Sequence, residues 1–296
     1  LTIIPSKGFD IRYLIKLRRY IRNKKIDIVH THSAFKSLNV LIASLFIKIK
    51  VVLTIHGHSL KQQKLLKNIV FRLTDQVLFV SEYLNSFYKK SQLPYPNDKY
   101  LTLYNGIDSK KIENHSRQSL RTELNLNERH FLLGMIGNFN TGRDQYTVCK
   151  ALNKIIKHNP NIHFVFIGGA QNYNYEMQCR DYCNKNNLNE NIYFLRVRSD
   201  IPEILHSLDI FVYSSNSDTF GIAVVEAMMS ATPVMVNDLL VFKEITNNGK
   251  YAQLYKTKDA NDLANKIEYY IENPEQRKNL GEEGREWAIQ NFSIDT

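Results

Sequence analysis

Short runs of β-branched and aromatic residues alternate with amphipathic stretches at helical spacing along the whole chain. In the first part, strand signals fall at 27–31, 51–55, 76–80 and 100–104, with helical stretches at 11–24, 34–47, 61–73 and 82–91. Strand–helix–strand alternation with short connections makes crossover units, and crossover units make parallel sheets covered by helices on both faces. A second series has strands at 131–136, 163–168, 191–195, 210–213, 233–236 and 252–255. Its helices fit 144–158, 173–186, 201–207, 221–230, 240–247, 259–273 and 275–291. Between the two series, Asn105-Gly-Ile-Asp108 ends a strand in a glycine turn, and residues 109–129 are polar with little apolar periodicity, which places a domain boundary there. The expected fold class is α/β: two Rossmann-like domains in tandem, 1–108 and 109–296. A length of 296 residues suits two domains of roughly 150. The opening Leu1-Thr-Ile-Ile-Pro5 reads as near a strand, as though more chain lay upstream.

Charge separates the two parts. Residues 1–108 hold 18 Lys+Arg against 6 Asp+Glu, whereas residues 109–296 hold 21 against 23, so the net +10 resides in the first part. Such asymmetry points to an anionic partner, or to a solvated lysine-rich face. Nucleic acid is disfavoured, because no zinc-finger spacing, aromatic-rich single-strand signature or helix-turn-helix is present. Residues 11–25 (IRYLIKLRRYIRNKK) instead make a basic amphipathic helix, with Ile11, Leu14, Ile15, Leu17 and Ile21 as its apolar side. The most apolar run, 38–47, is too short to span a bilayer. Cys149, Cys179 and Cys183 are odd in number in a large chain, which suits a reducing cytosol better than a disulfide framework.

Ligands of doubly wound sheets bind beyond the carboxyl ends of the strands, so the loops there carry the chemistry. The segment 213–229 (YSSNSDTFGIAVVEAMM) ends a strand in small polar residues and then starts a helix. Gly221 lets a ligand approach the backbone, and free N–H groups in the first helical turn form an anion site. Asp218 and Glu226 lie seven residues apart. A carboxylate at Glu226 can accept from a pair of sugar hydroxyls; local physics alone favours Asp218 as a helix cap and Glu226 as a surface residue.

The order of motifs decides between these. Asp27-Ile-Val-His-Thr-His32, Thr54-Ile-His-Gly57, Asn105-Gly-Ile-Asp108, Phe166-Ile-Gly-Gly169, Asp200-Ile-Pro-Glu-Ile-Leu205 and Asp209-Ile-Phe-Val212 are followed by Asp218-Thr-Phe-Gly221, Glu226-Ala-Met228 and Pro233-Val-Met-Val-Asn-Asp238. Over essentially its whole length the chain resembles the retaining GT-B glycosyltransferases of family 4, the glycosyltransferase group 1 type. The resemblance implies a GT-B fold, with the two domains facing across a cleft and the first incomplete. It also implies truncation at both termini, since relatives begin with a further strand, Gly-rich loop and helix and end in a helix returning to the first domain.

The resemblance implies roles for individual residues. Glu226 would hold the ribose hydroxyls of a nucleotide sugar, and Asp218, where the family has Glu, would contact the donor sugar. The N–H groups at Phe220, Gly221 and Ile222 would cradle the diphosphate. In the loop Gly137-Asn-Phe-Asn-Thr-Gly-Arg-Asp144, Arg143 stands at the family's lysine position and Asn138 at its arginine position. Leu195-Arg-Val-Arg198 would line the base, with backbone contacts, and His56 would face the reaction centre, with His30 and His32 as alternatives. The implied donor is a UDP- or GDP-sugar, with no cofactor and no metal, and the acceptor an envelope glycan or a lipid-linked precursor. The implied place is the cytoplasm, at the anionic inner face of the membrane. Competing readings are a nucleotide-sugar 2-epimerase on the same fold, a non-catalytic nucleotide-sugar-binding remnant and a nucleic-acid binder.

Overall fold

The computed structural model describes residues 10–58, 64–90, 98–113 and 115–295, with the backbone alone for 64–67. The expected opening strand at 1–5 and the start of the helix expected at 61 lie outside the described residues. The chain divides into two compact units, Leu1–Tyr104 and Asn105–Thr296.

In the first unit the elements are α1 (Ile11–Asn23), β1 (Ile28–Thr31), α2 (Ala34–Ala43), β2 (Lys50–Ile55), α3 (Lys64–Leu73), β3 (Gln76–Phe79), α4 (Glu82–Lys90) and β4 (Tyr100–Thr102). The four strands are parallel and ordered β1-β2-β3-β4. Asp10 starts α1 by accepting the N–H groups of Arg12 and Tyr13. Of the apolar side expected for this helix, Leu14 and Ile21 are buried, while Ile11 and Ile15 are exposed. The next helix stops at Ala43 instead of running to 47. Arg18 Nη1 donates to the carbonyls of Ala43 and Leu45, and Phe46 adopts a left-handed φ of +63°, which cannot continue a helix.

The second unit contains α5 (Gln118–Glu123), β5 (Phe131–Ile136), α6 (Gln145–His158), β6 (Ile162–Ile167), α7 (Tyr173–Lys185), β7 (Ile192–Leu195), α8 (Ile201–Ser207), β8 (Ile210–Tyr213), α9 (Ile222–Met229), β9 (Val234–Asn237), α10 (Leu240–Ile245), β10 (Gln253–Tyr255), α11 (Ala260–Glu272) and α12 (Pro274–Phe292). Its six parallel strands are ordered β10-β9-β8-β5-β6-β7, so the direction of winding reverses between β5 and β8. Strands such as β6 (IHFVFI) are buried along their whole length, as a sheet covered on both faces requires. Residues 105–108 lie with this unit: Ile107 N–H donates to Phe292 O at 2.8 Å, and Ile294 N–H to Ile107 O at 3.1 Å.

Helix α5 falls in the stretch expected to be irregular, and a fully buried arginine explains it. Arg121 donates to the carbonyls of Ser207, Asn127 and His130 and pairs with Asp209, which also accepts Leu132 N–H at 2.8 Å and pairs with Arg117. The network ties the polar segment to the amino ends of β5 and β8. Cys149, Cys179 and Cys183 are free and buried, the first on α6 and the others on α7. No helix among the described residues is long and apolar enough to cross a membrane.

Candidate active site

Because β5 is followed by a crossover to one side of the sheet and β8 lies on its other side, the loops leaving these two strands diverge and leave a crevice. Residues 137–144 and 214–221 form its walls. They interlock through the backbone: Asp144 N–H donates to Ser214 O at 3.1 Å and Asn216 N–H to Gly142 O at 3.0 Å. Beneath them, the buried Asn237 at the end of β9 accepts Ser215 N–H at 3.0 Å and donates to Ser215 O at 2.9 Å.

Arg143 is the cation of this crevice. Its Nη1 donates to Asp218 Oδ2 at 2.8 Å and to Ser215 Oγ at 3.0 Å, and its guanidinium lies over the Tyr213 ring, 5.1 Å from the centroid. Nε and Nη2 have no partner among the described residues. Gly137 lies beside that edge, where a β-carbon would make ordinary contact at 3.5 Å from Nε. A guanidinium held through one nitrogen, with the adjacent Nε and Nη2 making no hydrogen bond among the described residues, suits a bidentate phosphate.

Asp218 is engaged on every side. Oδ2 takes Arg143 and, at 3.1 Å, the Tyr213 hydroxyl; Oδ1 takes Thr219 N–H at 2.8 Å and Phe220 N–H at 3.3 Å. Burial and this neighbouring carboxylate push the Tyr213 phenol far up, so it remains a donor. The sequence reading gave Asp218 a contact with the donor sugar or a helix cap. In the structure its carboxylate holds Arg143 and the loop, and Gly221 is the residue that caps α9. Gly221 has φ +91°, and a β-carbon would lie 2.8 Å from the Phe242 ring, so conformation and space both demand glycine. Phe220 is buried and its N–H is turned to Asp218, while Ile222 is exposed. One helical turn past Ile222 on the same face, Glu226 is half-buried and its carboxylate has no hydrogen-bond partner among the described residues. Burial raises its carboxyl above the ordinary range.

Two other expected ligand residues have side chains engaged within the second unit. Asn138 Oδ1 accepts Gly169 N–H at 2.8 Å, joining the loops after β5 and β6. The Arg198 guanidinium is held by two carboxylates, Asp200 and Glu123, through four bonds of 2.7–2.9 Å. These carboxylates hold the guanidinium protonated and fix the side chain, leaving a base contact to the backbone of the segment.

In the first unit, the carboxyl ends of β1 and β2 gather three histidines. His32 Nδ1 and His56 Nε2 are 2.9 Å apart, the His30 and His32 rings are 4.5 Å apart, and His30 Nε2 meets Thr54 Oγ1 at 2.7 Å. Burial, and then the neighbouring imidazoles, lower the pKa of His30 and of His56. Parallel register explains the cluster, because His30 is paired with Val52 and both strands end side by side. Sequence reading named the three as alternatives, whereas the fold makes them neighbours. It missed Tyr213, Ser215 and Asn237, whose only local signal was a strand end running into small polar residues. Among the described residues no group of three or more His, Cys, Asp or Glu is arranged to hold a metal ion.

The sequence profile described as "Glycosyl transferases group 1" matches residues 116–287, and that described as "Glycosyltransferase Family 4" matches residues 2–111. The chain belongs to the group 1 glycosyl transferases. It is 23% identical to the N-acetyl-alpha-D-glucosaminyl L-malate synthase of Bacillus anthracis, over 98% of this chain and 77% of that protein. It is also 26% identical to the UDP-Gal:alpha-D-GlcNAc-diphosphoundecaprenol alpha-1,3-galactosyltransferase of Escherichia coli, over 78% of this chain and 62% of that one. The structure superposes on Anabaena Alr3699/HepE, solved in complex with UDP and glucose, with a TM-score of 0.86 at 20% identity, covering 99% of this chain and 82% of that one. This glycosyltransferase therefore has a GT-B fold, and the crevice after β5 and β8 is its candidate active site.

Proposed function

We propose that this glycosyltransferase moves a sugar from a UDP- or GDP-sugar to an envelope glycan or lipid-linked acceptor, with retention at the anomeric carbon and without a metal or other cofactor. One observation carries the reading: Arg143 is held through Nη1 between Asp218 and Ser215 at the switch point of the sheet, with Nε and Nη2 left without a hydrogen bond among the described residues. The bond from the anomeric carbon to the diphosphate breaks with its electron pair leaving on phosphate, while the acceptor hydroxyl oxygen bonds to that carbon and its proton passes to the departing phosphate, so charge develops where Arg143 and the start of α9, with the N–H groups of Gly221 and Ile222, can meet it. Asp218 acts through Arg143 as a positioning residue. Glu226, unpaired and half-buried, accepts the ribose hydroxyls, which supply the donors its carboxylate lacks. His56, with His32 bonded to it, serves the reacting sugar and acceptor. Similarity to proteins named for transfer to a diphosphoundecaprenol-linked sugar and for capsular polysaccharide biosynthesis supports the acceptor class.

A lipid-linked acceptor would be met at an anionic cytoplasmic leaflet. The excess of 18 Lys+Arg over 6 Asp+Glu in residues 1–108 suits that surface, and so do Leu45 and Phe46, which are 54% and 97% exposed in the turn after α2. Sedimentation with vesicles is expected to require anionic lipid.

A second reading has a specific support. With Asn138 turned to Gly169, Arg143 is the one cation of the loop 137–144, which would favour a protein that binds a nucleotide sugar without turning it over. Calorimetry with UDP and GDP, together with a donor-consumption assay and NMR of the product's anomeric centre, separates the two. Binding with turnover and a retained configuration is the expected result. Binding without turnover selects the remnant, and binding of neither nucleotide removes both.

A further inference from the structure

On the flank of the second unit, α6 packs against α11 and the loop 256–259 follows β10. A cavity of about 530 Å³ lies there, lined by Lys150 and Lys154 from α6 and by Lys256 and Lys258 from the loop. None of the four lysines forms an ion pair among the described residues. The clustering is local, because residues 109–296 as a whole carry 21 Lys+Arg against 23 Asp+Glu. The one carboxylate in the lining, Asp259, is engaged in capping α11, accepting the N–H groups of Asn261 and Asp262. The lysines, not the helix start, therefore supply the field. Four exposed lysines against the single carboxylate of Asp259 leave the lining net positive, and a bound anion offsets that charge.

A second feature narrows the anion. Asn153, also in the lining, lies on α6 between Lys150 and Lys154. Its amide nitrogen donates to the Tyr182 hydroxyl at 3.2 Å, while its carbonyl oxygen is buried with no partner. A buried acceptor without a donor is complemented by a ligand hydroxyl. The loop is also fixed in advance. Thr257 donates its N–H and its hydroxyl to Asp238 Oδ1 at 2.9 and 2.6 Å, and Asn237 donates to Thr257 Oγ1 at 3.0 Å. Asn237 is the same side chain that holds Ser215 beneath Arg143, and α6 begins two residues after Arg143. The cavity thus shares supports with the candidate active site but none of the residues assigned to it.

The geometry points to a second binding pocket, for a phosphate group carried on a hydroxyl-bearing skeleton. The phosphate lies among the four lysines and a hydroxyl donates to Asn153. A free sugar phosphate and the glycerophosphate headgroup of a lipid both present this chemistry. The inference does not depend on the glycosyl-transfer assignment of the other site.

The test uses the full chain carrying Arg143→Ala, which removes phosphate binding at the candidate active site. Calorimetry with glucose 6-phosphate, inorganic phosphate and glucose is run beside sedimentation with phosphatidylglycerol vesicles. Glucose 6-phosphate is expected to bind more tightly than inorganic phosphate, and glucose not at all. Lys150→Ala/Lys154→Ala and Lys256→Ala/Lys258→Ala should each weaken binding by about tenfold or more, from the loss of two cations. Asn153→Leu should weaken glucose 6-phosphate and leave inorganic phosphate unchanged, with circular dichroism verifying the fold of every variant. Binding of glucose 6-phosphate in solution assigns a free sugar phosphate; binding to vesicles alone, with the same lysine dependence, assigns a lipid headgroup. Absence of both, retention of binding in both double-lysine variants, or glucose binding as tightly as its phosphate overturns the pocket.

Discussion

The two units are built from the same strand–helix alternation yet organise their functional side chains differently. In the second unit the strand order reverses between β5 and β8, and chemistry-bearing residues from two loops interlock in the resulting crevice. In the first unit the four described strands run β1-β2-β3-β4 without reversal, and the notable residues, His30, His32 and His56, line up along adjoining strand ends and contact one another directly. The second unit is near neutral and fixed by buried polar networks, whereas the first is strongly basic and its charges lie largely on the surface. A reversal of winding yields a pocket with crossed supports; a continuous progression yields an edge of aligned groups.

If polar networks fix the second unit, the largest effect on stability should come from Arg121→Ala. It leaves Asp209 short of a partner and three carbonyls without a donor, and should lower the unfolding free energy by about 3–5 kcal/mol, read from urea denaturation. A loss no larger than that of a surface variant would erase the contrast. Arg143→Ala sharpens it from the functional side. Donor turnover should fall on the order of 10²–10³ while stability changes by about 1 kcal/mol or less, because that arginine is partly exposed and keeps Nε and Nη2 for ligand.

Gly221→Ala combines the two. The alanine must take φ +91° with its methyl group 2.8 Å from Phe242, so we expect a loss of about 2 kcal/mol in thermal unfolding together with weaker nucleotide binding. A melting temperature equal to that of the native chain would mean that the helix start is not rigid.

Acid tests both units. Burial, reinforced by His130, depresses His163 to about 4 in the folded chain, against 6.5 for the free imidazole. The unfolded chain therefore binds a proton that the folded chain refuses. The contribution is intact above pH 6.5 and is lost as pH falls from 6.5 toward 4, by about 1–2 kcal/mol. His30 and His56 are lowered too and act in the same direction in the first unit. A His163→Phe variant should show a flatter pH dependence, and an unchanged slope would discount the buried imidazole. The smallest effect belongs to the first unit's surface: Lys50, 70% exposed in its pair with Asp75, should cost less than about 1 kcal/mol when replaced by Gln. A larger loss would show that this unit, too, depends on individual ion pairs.

Alternation and the end of strand β8 were legible because both are local. Residues 131–136 and 210–213 carry their apolar runs in sequence, and the structure has strands over the same ranges. Helix α5 was not legible, since its anchor is Arg121 meeting Asp209, 88 residues away, and a buried charged residue leaves no apolar periodicity. The early end of α2 was hidden for the same reason: Arg18, on another helix, takes its terminal carbonyls. At the candidate site, Gly221 is recognisable as the glycine opening a helix after small polar residues. The pairing of Arg143 with Asp218 joins loops 75 residues apart and has no counterpart in the linear pattern.

By itself the sequence determined the α/β class, the tandem arrangement and the strand ends from which chemistry could be offered, because periodicity and turn residues act over a few neighbours. The tertiary structure alone decided which charged groups remain available. Arg143 keeps Nε and Nη2 without a hydrogen bond among the described residues, Arg198 is held by Glu123 and Asp200, Asn138 is turned to a backbone amide, and the Glu226 carboxylate is left unpaired among them. Availability depends on what the fold carries to within 3 Å from distant loops, and no spacing along the chain encodes that distance.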